Sequence, residues 1–408
     1  MKLKIMKGTN DVGRQFVQIE TSHVKIAVSF GEDRATAEIA EPVNPMIEGL
    51  TCGEPSYNGI FILRNPENCN LLNFTLDNIP IFLEKKIKSS YDVCADFMGF
   101  GKKKNIKEIV NSQTYTLKDL EVTYYLVDSS NSNTSMLLVE AYGKKILISG
   151  DFRSFDIERG SKRLNEIIYE IGKIDYWFIE GKYIGKNRPE NAPDSENFIK
   201  LKNIMKFYKQ VFIIQSETDL ATTRRVYDVA LKTKKIFIED TFLANLTTTC
   251  TGSAPNPVTS KKVYTYNPLV LDNKDFEFKK KYVTHFYIHN ANNKMKKEKY
   301  VMTLNMQMLQ DMQVFSKEDV IYDACLILTM NKQHLKINKD LEEFINMIKD
   351  FDIDYYELYA VGEVNYDLIN ELEKTFRPLR IIPLEFKPVE DVEINNIRYL
   401  RENEELEI

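Results

Sequence analysis

Histidine is scarce. The 408 residues contain four, His23, His285, His289 and His334. A zinc enzyme needs three or more converging ligands and leans on imidazole, so this chain has little to offer such a centre. Cysteine does not fill the gap. Cys52, Cys69, Cys94, Cys250 and Cys325 are scattered, odd in number and without CxxC spacing. That pattern argues against a disulfide framework or a zinc ribbon and reads as reduced, mostly buried thiols. Long apolar runs are missing too: nothing approaches the roughly eighteen residues of a membrane span. The opening "MKLKIMKGTN" lacks the apolar middle of a signal peptide. The expected location is the cytoplasm, with no membrane partner. Internal repeats, heptads and low-complexity tails are absent as well.

What is present is ample material for a core. With 43% hydrophobic residues, 23 Phe and 22 Tyr, the chain has apolar surface enough for two or three domains. Charge is uneven: between residues 196 and 350, 22 Lys and 2 Arg face 18 acids, while the flanks are acidic. The first part reads as β-rich, with "FVQIET" and "VKIAVSF" joined by a "TSH" turn, then "GIFIL", "IPIFLE", "EVTYYLV", "SMLLVEAY" and "KKILISG". A helix fits "SKRLNEIIYEIG", with Leu164, Ile167, Ile168 and Ile171 on one face and Gly172 as its stop. After the polar link "KNRPENAPDS" helices and strands alternate, the rhythm of a parallel α/β unit. "TCTGSAPNPVTS" reads as an irregular surface loop, and the alternation resumes at "VIYDACLILTM".

Several landmarks then fall in one order: "GTNDVGRQFVQIET", "GIFILRNPENCN", "IPIFL", "VDSSNSNTSMLLVEAYGKKILISGDFR", "IDYWFIEGKY" and "ELYAVGEVNYDLINELEKTFRPLRIIPLEF". Over nearly the whole chain this order resembles the metallo-β-lactamase fold hydrolases with an inserted β-CASP domain, the RNase J-like nucleases. The resemblance implies an α/β fold: a metallo-β-lactamase-like αββα sandwich with an inserted α/β domain. Residues 1–195 and 351–408 would form the sandwich and 196–350 the insertion. The most specific element is "KKILISGDFR", with Gly150, Asp151 and Arg153.

The resemblance also exposes what has changed. The family's His-x-His-x-Asp-His turn aligns with Asn65, Pro66, Glu67, Asn68, Cys69 and Asn70, so every liganding position is substituted. Ser129, after Asp128, replaces the next histidine, and Tyr359 and Glu363 stand where two later histidines would. Glu385 replaces the last histidine, and Ser29 an early aspartate. Asp151 and Glu180 keep the family's acidic character. Two zinc ions about 3.5–4 Å apart need inward imidazoles and carboxylates to lower the pKa of a bridging water, and asparagine, serine and tyrosine are poor substitutes. The resemblance therefore implies a catalytically inactive pseudoenzyme with no cofactor and no metal, acting as a nucleic-acid-binding or partner-binding subunit. Its partners would be RNA or DNA, an active nuclease or effector subunit, or a second copy in a homodimer. The alternative is a metal-dependent hydrolase, a nuclease rebuilt on Glu67, Asp151, Glu180 and Glu385 around Mg or Mn, against salt bridges or solvated acids as the plain reading.

Two further features have plain readings. Cys69 has no neighbouring histidine to activate it and reads as a bystander. His285 and His289, four apart, make half a metal site on a helix or an ordinary helix face. Basic clusters occur at Lys102 to Lys107, at Lys279, Lys280 and Lys281, and at Lys294, Lys296 and Lys297, the last two near Tyr282, Phe286, Tyr287 and Tyr300. The last two are candidates for a phosphate backbone with stacked bases, although lysine-rich turns also serve solubility.

Overall fold

The computed structural model describes residues 1–9, 15–30, 46–64, 69–98, 101–127, 134–150, 152, 164–181, 184, 194–215, 218–250, 252, 254–266, 297–305, 308–317, 320–329, 339–351, 353–358, 366–384, 394 and 396–408. Within them the chain is mixed α/β, with three sheets and eight α-helices. It divides into two compact units. Residues 1–96, 100–190 and 362–408 form the first, and 97–99 with 191–361 the second.

The first unit holds two sheets. One contains β1 (Lys2–Lys7), β2 (Phe16–Glu20), β3 (Lys25–Val28), β4 (Gly59–Ile62), β5 (Ile81–Glu84), β6 (Ile106–Ile109) and the last strand, β19 (Glu405–Glu407). Its spatial order is β19-β1-β2-β3-β4-β5-β6, antiparallel up to β3 and parallel from β3 onward. The other contains β7 (Thr114–Leu117), β8 (Leu120–Val127), β9 (Thr134–Ala141), β10 (Lys144–Gly150), β11 (Tyr176–Glu180) and β18 (Arg380–Leu384). Its order is β18-β11-β10-β9-β8-β7, with the first three strands parallel to one another.

Strand alternation sends every second side chain to the same face. Val17, Ile19, Ile26, Val28, Phe61 and Phe82 of the first sheet thus meet Val122, Tyr124, Leu137, Val139, Ile146, Ile148, Phe178 and Ile382 of the second in one buried cluster. Phe61 and Phe82 stack at 4.6 Å within it. The outer face of the second sheet is covered by α2 (Leu164–Ile171) and α8 (Tyr366–Phe376). The α2 stripe Leu164, Ile167, Ile168 and Ile171 packs there beside Leu147 and Trp177. The helix ends at Gly172, whose φ of 65° is left-handed and whose N–H donates to Ile168 O at 3.0 Å. Another helix, α1 (Lys85–Met98), follows β5 without a break.

The second unit is built on one sheet of six parallel strands: β12 (Gln210–Ile214), β13 (Ile236–Glu239), β14 (Val263–Thr265), β15 (Tyr300–Thr303), β16 (Ala324–Leu328) and β17 (Asp354–Glu357). Their order is β14-β13-β15-β12-β16-β17. Helices α3 (Asp194–Phe207) and α4 (Leu220–Lys232) bury one face through Leu201, Met205, Val226, Val229 and Ala230. On the other face lie α6 (Leu309–Lys317) and α7 (Lys339–Lys349), through Met312, Phe315, Phe344, Ile345 and Ile348. The remaining helix, α5 (Thr241–Thr249), is rich in threonine and starts at the N-cap Asp240, whose carboxylate accepts from Leu243 N–H.

Candidate functional site

Parallel strands in both sheets of the first unit bring their carboxyl ends to one edge. The linking contacts are direct. Ser135 N–H, at the start of β9, donates to Leu63 O just past β4 at 2.7 Å. Tyr124 Oη, reaching across from β8, donates to Ile62 O at 3.3 Å and Phe82 O at 3.4 Å. Ser29 N–H donates to Phe61 O at 2.8 Å, and Gly181 N–H to Leu384 O at 2.8 Å. A Cβ placed on Gly150, whose φ is 58°, would lie 3.8 Å from Oε1 of Gln15.

At this edge the inward columns change character. Val17 and Ile19 share their parity with Gln15, Phe82 with Glu84, Leu137 with Ser135, and Phe178 with Glu180. The apolar interior of the sandwich therefore closes on an amide, a hydroxyl and two carboxyls, all buried. Among the described residues, Gln15 Nε2 and Ser135 Oγ have no hydrogen-bond partner, a state that buried polar groups rarely keep without a ligand or water. Burial pushes the Glu84 carboxyl up, while the Lys86 N–H, at 2.7 Å, pulls it back. Burial also drives the Tyr124 phenol well above its usual value, with Glu84 adding to the effect. Tyr124 is thus a neutral hydroxyl tying the ends of β4 and β5.

Of the sequence-predicted site residues, Glu180 is placed: it ends β11, buried, registered with Leu384 on β18, one residue past Ile179, which stands opposite Gly150 on β10. Cys69 and Asn70 open the 3-10 helix Cys69–Phe74. Asn65, Glu67, Asp128, Ser129, Asp151, Tyr359, Glu363 and Glu385 lie outside the described residues, as do Lys279, Lys280, Lys281, Lys294 and Lys296. Lys297 is exposed ahead of β15. In the earlier lysine cluster, Lys102 pairs with Asp96 at 2.8 Å and Lys103 with Asp77 at 2.7 Å. His23 is exposed in the β2–β3 turn, and His285, His289 and His334 lie outside the described residues. Cys52, Cys94 and Cys325 are free thiols, and Cys250 is buried at the end of α5. No helix among the described residues is long and apolar enough to cross a membrane.

Gln15, Glu84 and Ser135 escape a reading of motifs. Their signal is positional: a polar residue at the inward parity of an otherwise apolar column. It becomes meaningful only when a second sheet faces that column.

Among the described residues, the donor set at the edge does not fit a pair of zinc ions. Its placed side chains offer oxygen and amide groups and no imidazole. Among the described residues, no three His, Cys, Asp or Glu side chains converge as a metal site requires.

No family model matches the chain, and no curated protein matches it. Among solved structures it is similar to the crystal structure of a protein of unknown function from Enterococcus faecalis V583, with a TM-score of 0.72 and 12% identity over 99% of each chain. At that identity the likeness is one of fold.

Proposed function

We propose that the chain is a catalytically inactive member of the metallo-β-lactamase fold hydrolases with a β-CASP-like insertion, working as a subunit that binds nucleic acid or a protein partner. The observation that carries this reading is the chemistry of the strand-end edge. Where a hydrolase of that fold gathers imidazoles around metal, this chain closes its sandwich on Gln15, Ser135 and Glu180. The sequence supplies Asn65, Asn70, Ser129, Tyr359 and Glu385 at the positions that the resemblance assigns to ligands. An edge of amide, hydroxyl and carboxyl groups without imidazoles still holds a polar partner, but it lacks the converging ligands that hold a zinc pair and generate hydroxide at neutral pH. Support also comes from the order of units along the chain, a parallel α/β unit of residues 191–361 lying in sequence between β11 and α8.

One observation favours the second reading, a hydrolase dependent on Mg or Mn. Glu180 keeps a buried carboxyl at the edge, and Asp151 follows Gly150 directly in sequence. Elemental analysis of untagged protein prepared without chelators separates the two, together with cleavage assays on single-stranded RNA and DNA. The binding-subunit reading expects metal below about 0.1 equivalent and no cleavage. About one or two equivalents, lost in Asp151→Asn along with divalent-dependent cleavage, would establish the hydrolase instead.

A further inference from the structure

In the second unit the sheet changes winding direction between β12 and β15. After β12 the chain enters α4, which packs on one face with α3; after β15 it enters α6, on the opposite face with α7. Neighbouring parallel strands whose helices depart to opposite faces leave a crevice beyond their carboxyl ends, where open α/β sheets accept ligands. Ile213 is registered with Thr303, and Leu304 N–H donates to Ile213 O at 2.8 Å. Gln215 and Asn305 therefore stand at corresponding positions just past the two strands.

The polar groups at this point are incompletely used. Gln215, 6% exposed, donates through Nε2 to Thr223 Oγ1 at 2.6 Å and to Asp219 O at 3.4 Å. A carbonyl oxygen only accepts, so the amide nitrogen must face α4 and the amide oxygen must face away from it. Among the described residues that oxygen has no partner, nor do Oγ1 of Thr218, also 6% exposed, and Oδ1 of Asn305. Three unused oxygens from the loops after β12 and β15 make a set that asks for donors.

The neighbouring carboxylates are committed elsewhere. Asp219 caps α4, accepting from Thr222 N–H at 2.9 Å and from Thr222 Oγ1 at 2.7 Å. Asp240 caps α5, accepting from Leu243 N–H at 3.0 Å and Thr303 Oγ1 at 3.4 Å. Two helix starts already carrying their own carboxylates repel a phosphate. The unused acceptors are neutral and offer no charge to balance a cation. We propose that Gln215, Thr218 and Asn305 form a binding site for a neutral vicinal diol of the kind a ribose presents, whether in a free sugar or a nucleoside. A diol brings two adjacent hydroxyl donors to acceptors on neighbouring strands about 4.8 Å apart.

Isothermal titration of the full chain with adenosine, ribose and 2′-deoxyadenosine tests the site. Saturable binding of adenosine is expected, weakened about ten-fold or more when the diol is removed in 2′-deoxyadenosine. Ribose binding as well would place the diol in a free sugar, and adenosine binding alone in a nucleoside. Thr218→Val and Gln215→Met should each lower adenosine affinity about ten-fold. Because Gln215 also holds α4, Thr218→Val decides the matter if Gln215→Met fails to fold. No saturable binding of adenosine or ribose, equal affinities for adenosine and 2′-deoxyadenosine, or unchanged binding by Thr218→Val would overturn the proposal.

Discussion

Glu239, the last residue of β13, has a carboxyl sealed from solvent. It accepts from Thr247 Oγ1 of α5 at 3.1 Å, and burial drives its pKa well above the ordinary 4.5. The folded chain therefore holds this proton over a pH range in which the unfolded chain has released it. The resulting stability is whole below about pH 4.5 and drains as pH rises from there toward the folded-state pKa. Glu239→Gln keeps the shape and removes the titration. Unfolding midpoints measured by circular dichroism from pH 4 to 8 should show the variant gaining on the parent as pH rises. A gap independent of pH would mean that Glu239 is ionised in the folded state. The residue scale is also where the sequence is hardest to read. Gln15 and Ser135 look like ordinary polar strand ends, because what buries them belongs to another sheet.

At the scale of elements, legibility followed the strength of local pattern. The stripe Leu164, Ile167, Ile168 and Ile171 with Gly172 behind it predicts a helix and its stop, and both are found. So are strands such as Gln210–Ile214 and Ala324–Leu328, whose apolar runs are buried throughout. By contrast, β15 is four residues, Tyr300–Thr303, beside a lysine-rich stretch, yet it lies in the middle of the third sheet. Its burial comes from neighbours on both sides, which no short window reveals. Helix α5 was equally hidden, since β-branched threonines have poor helix propensity and its stability rests on the Asp240 cap and on burial. The stop of α2 offers a clean test. A Cβ on Gly172 meets nothing within 4 Å, so Gly172→Ala should cost only the left-handed backbone penalty, about 1–2 kcal/mol, in urea unfolding. Gly172→Asn should recover part of it. A neutral alanine would show that the helix end relaxes.

At the scale of the whole molecule the two units differ in how their sequence is supplied. The six-stranded sheet of the second has both faces covered by helices from within residues 191–361, each over its own buried cluster. The first is discontinuous: β18 pairs with β11 in parallel, Trp177 opposite Ile381, and Phe376 of α8 meets Trp177 edge-on at 5.3 Å. The resemblance puts the return to this unit at residue 351, ahead of β17, whereas the second unit runs to residue 361 and local pattern does not mark where it ends. Strand β17, helix α8 and strand β18 read as one continuous α/β rhythm, although β17 edges the third sheet and β18 joins the second. A fragment of residues 191–361 should therefore fold alone, with a mixed α/β circular dichroism spectrum and one cooperative unfolding transition. Residues 1–190 alone should not, because β11 would lose its neighbour and Trp177 its cover. Joining 1–190 to 362–408 through a short flexible linker restores both and should restore cooperative unfolding. If 1–190 unfolds cooperatively without the tail, β18 and α8 are accessories to the sandwich and no part of its minimal core.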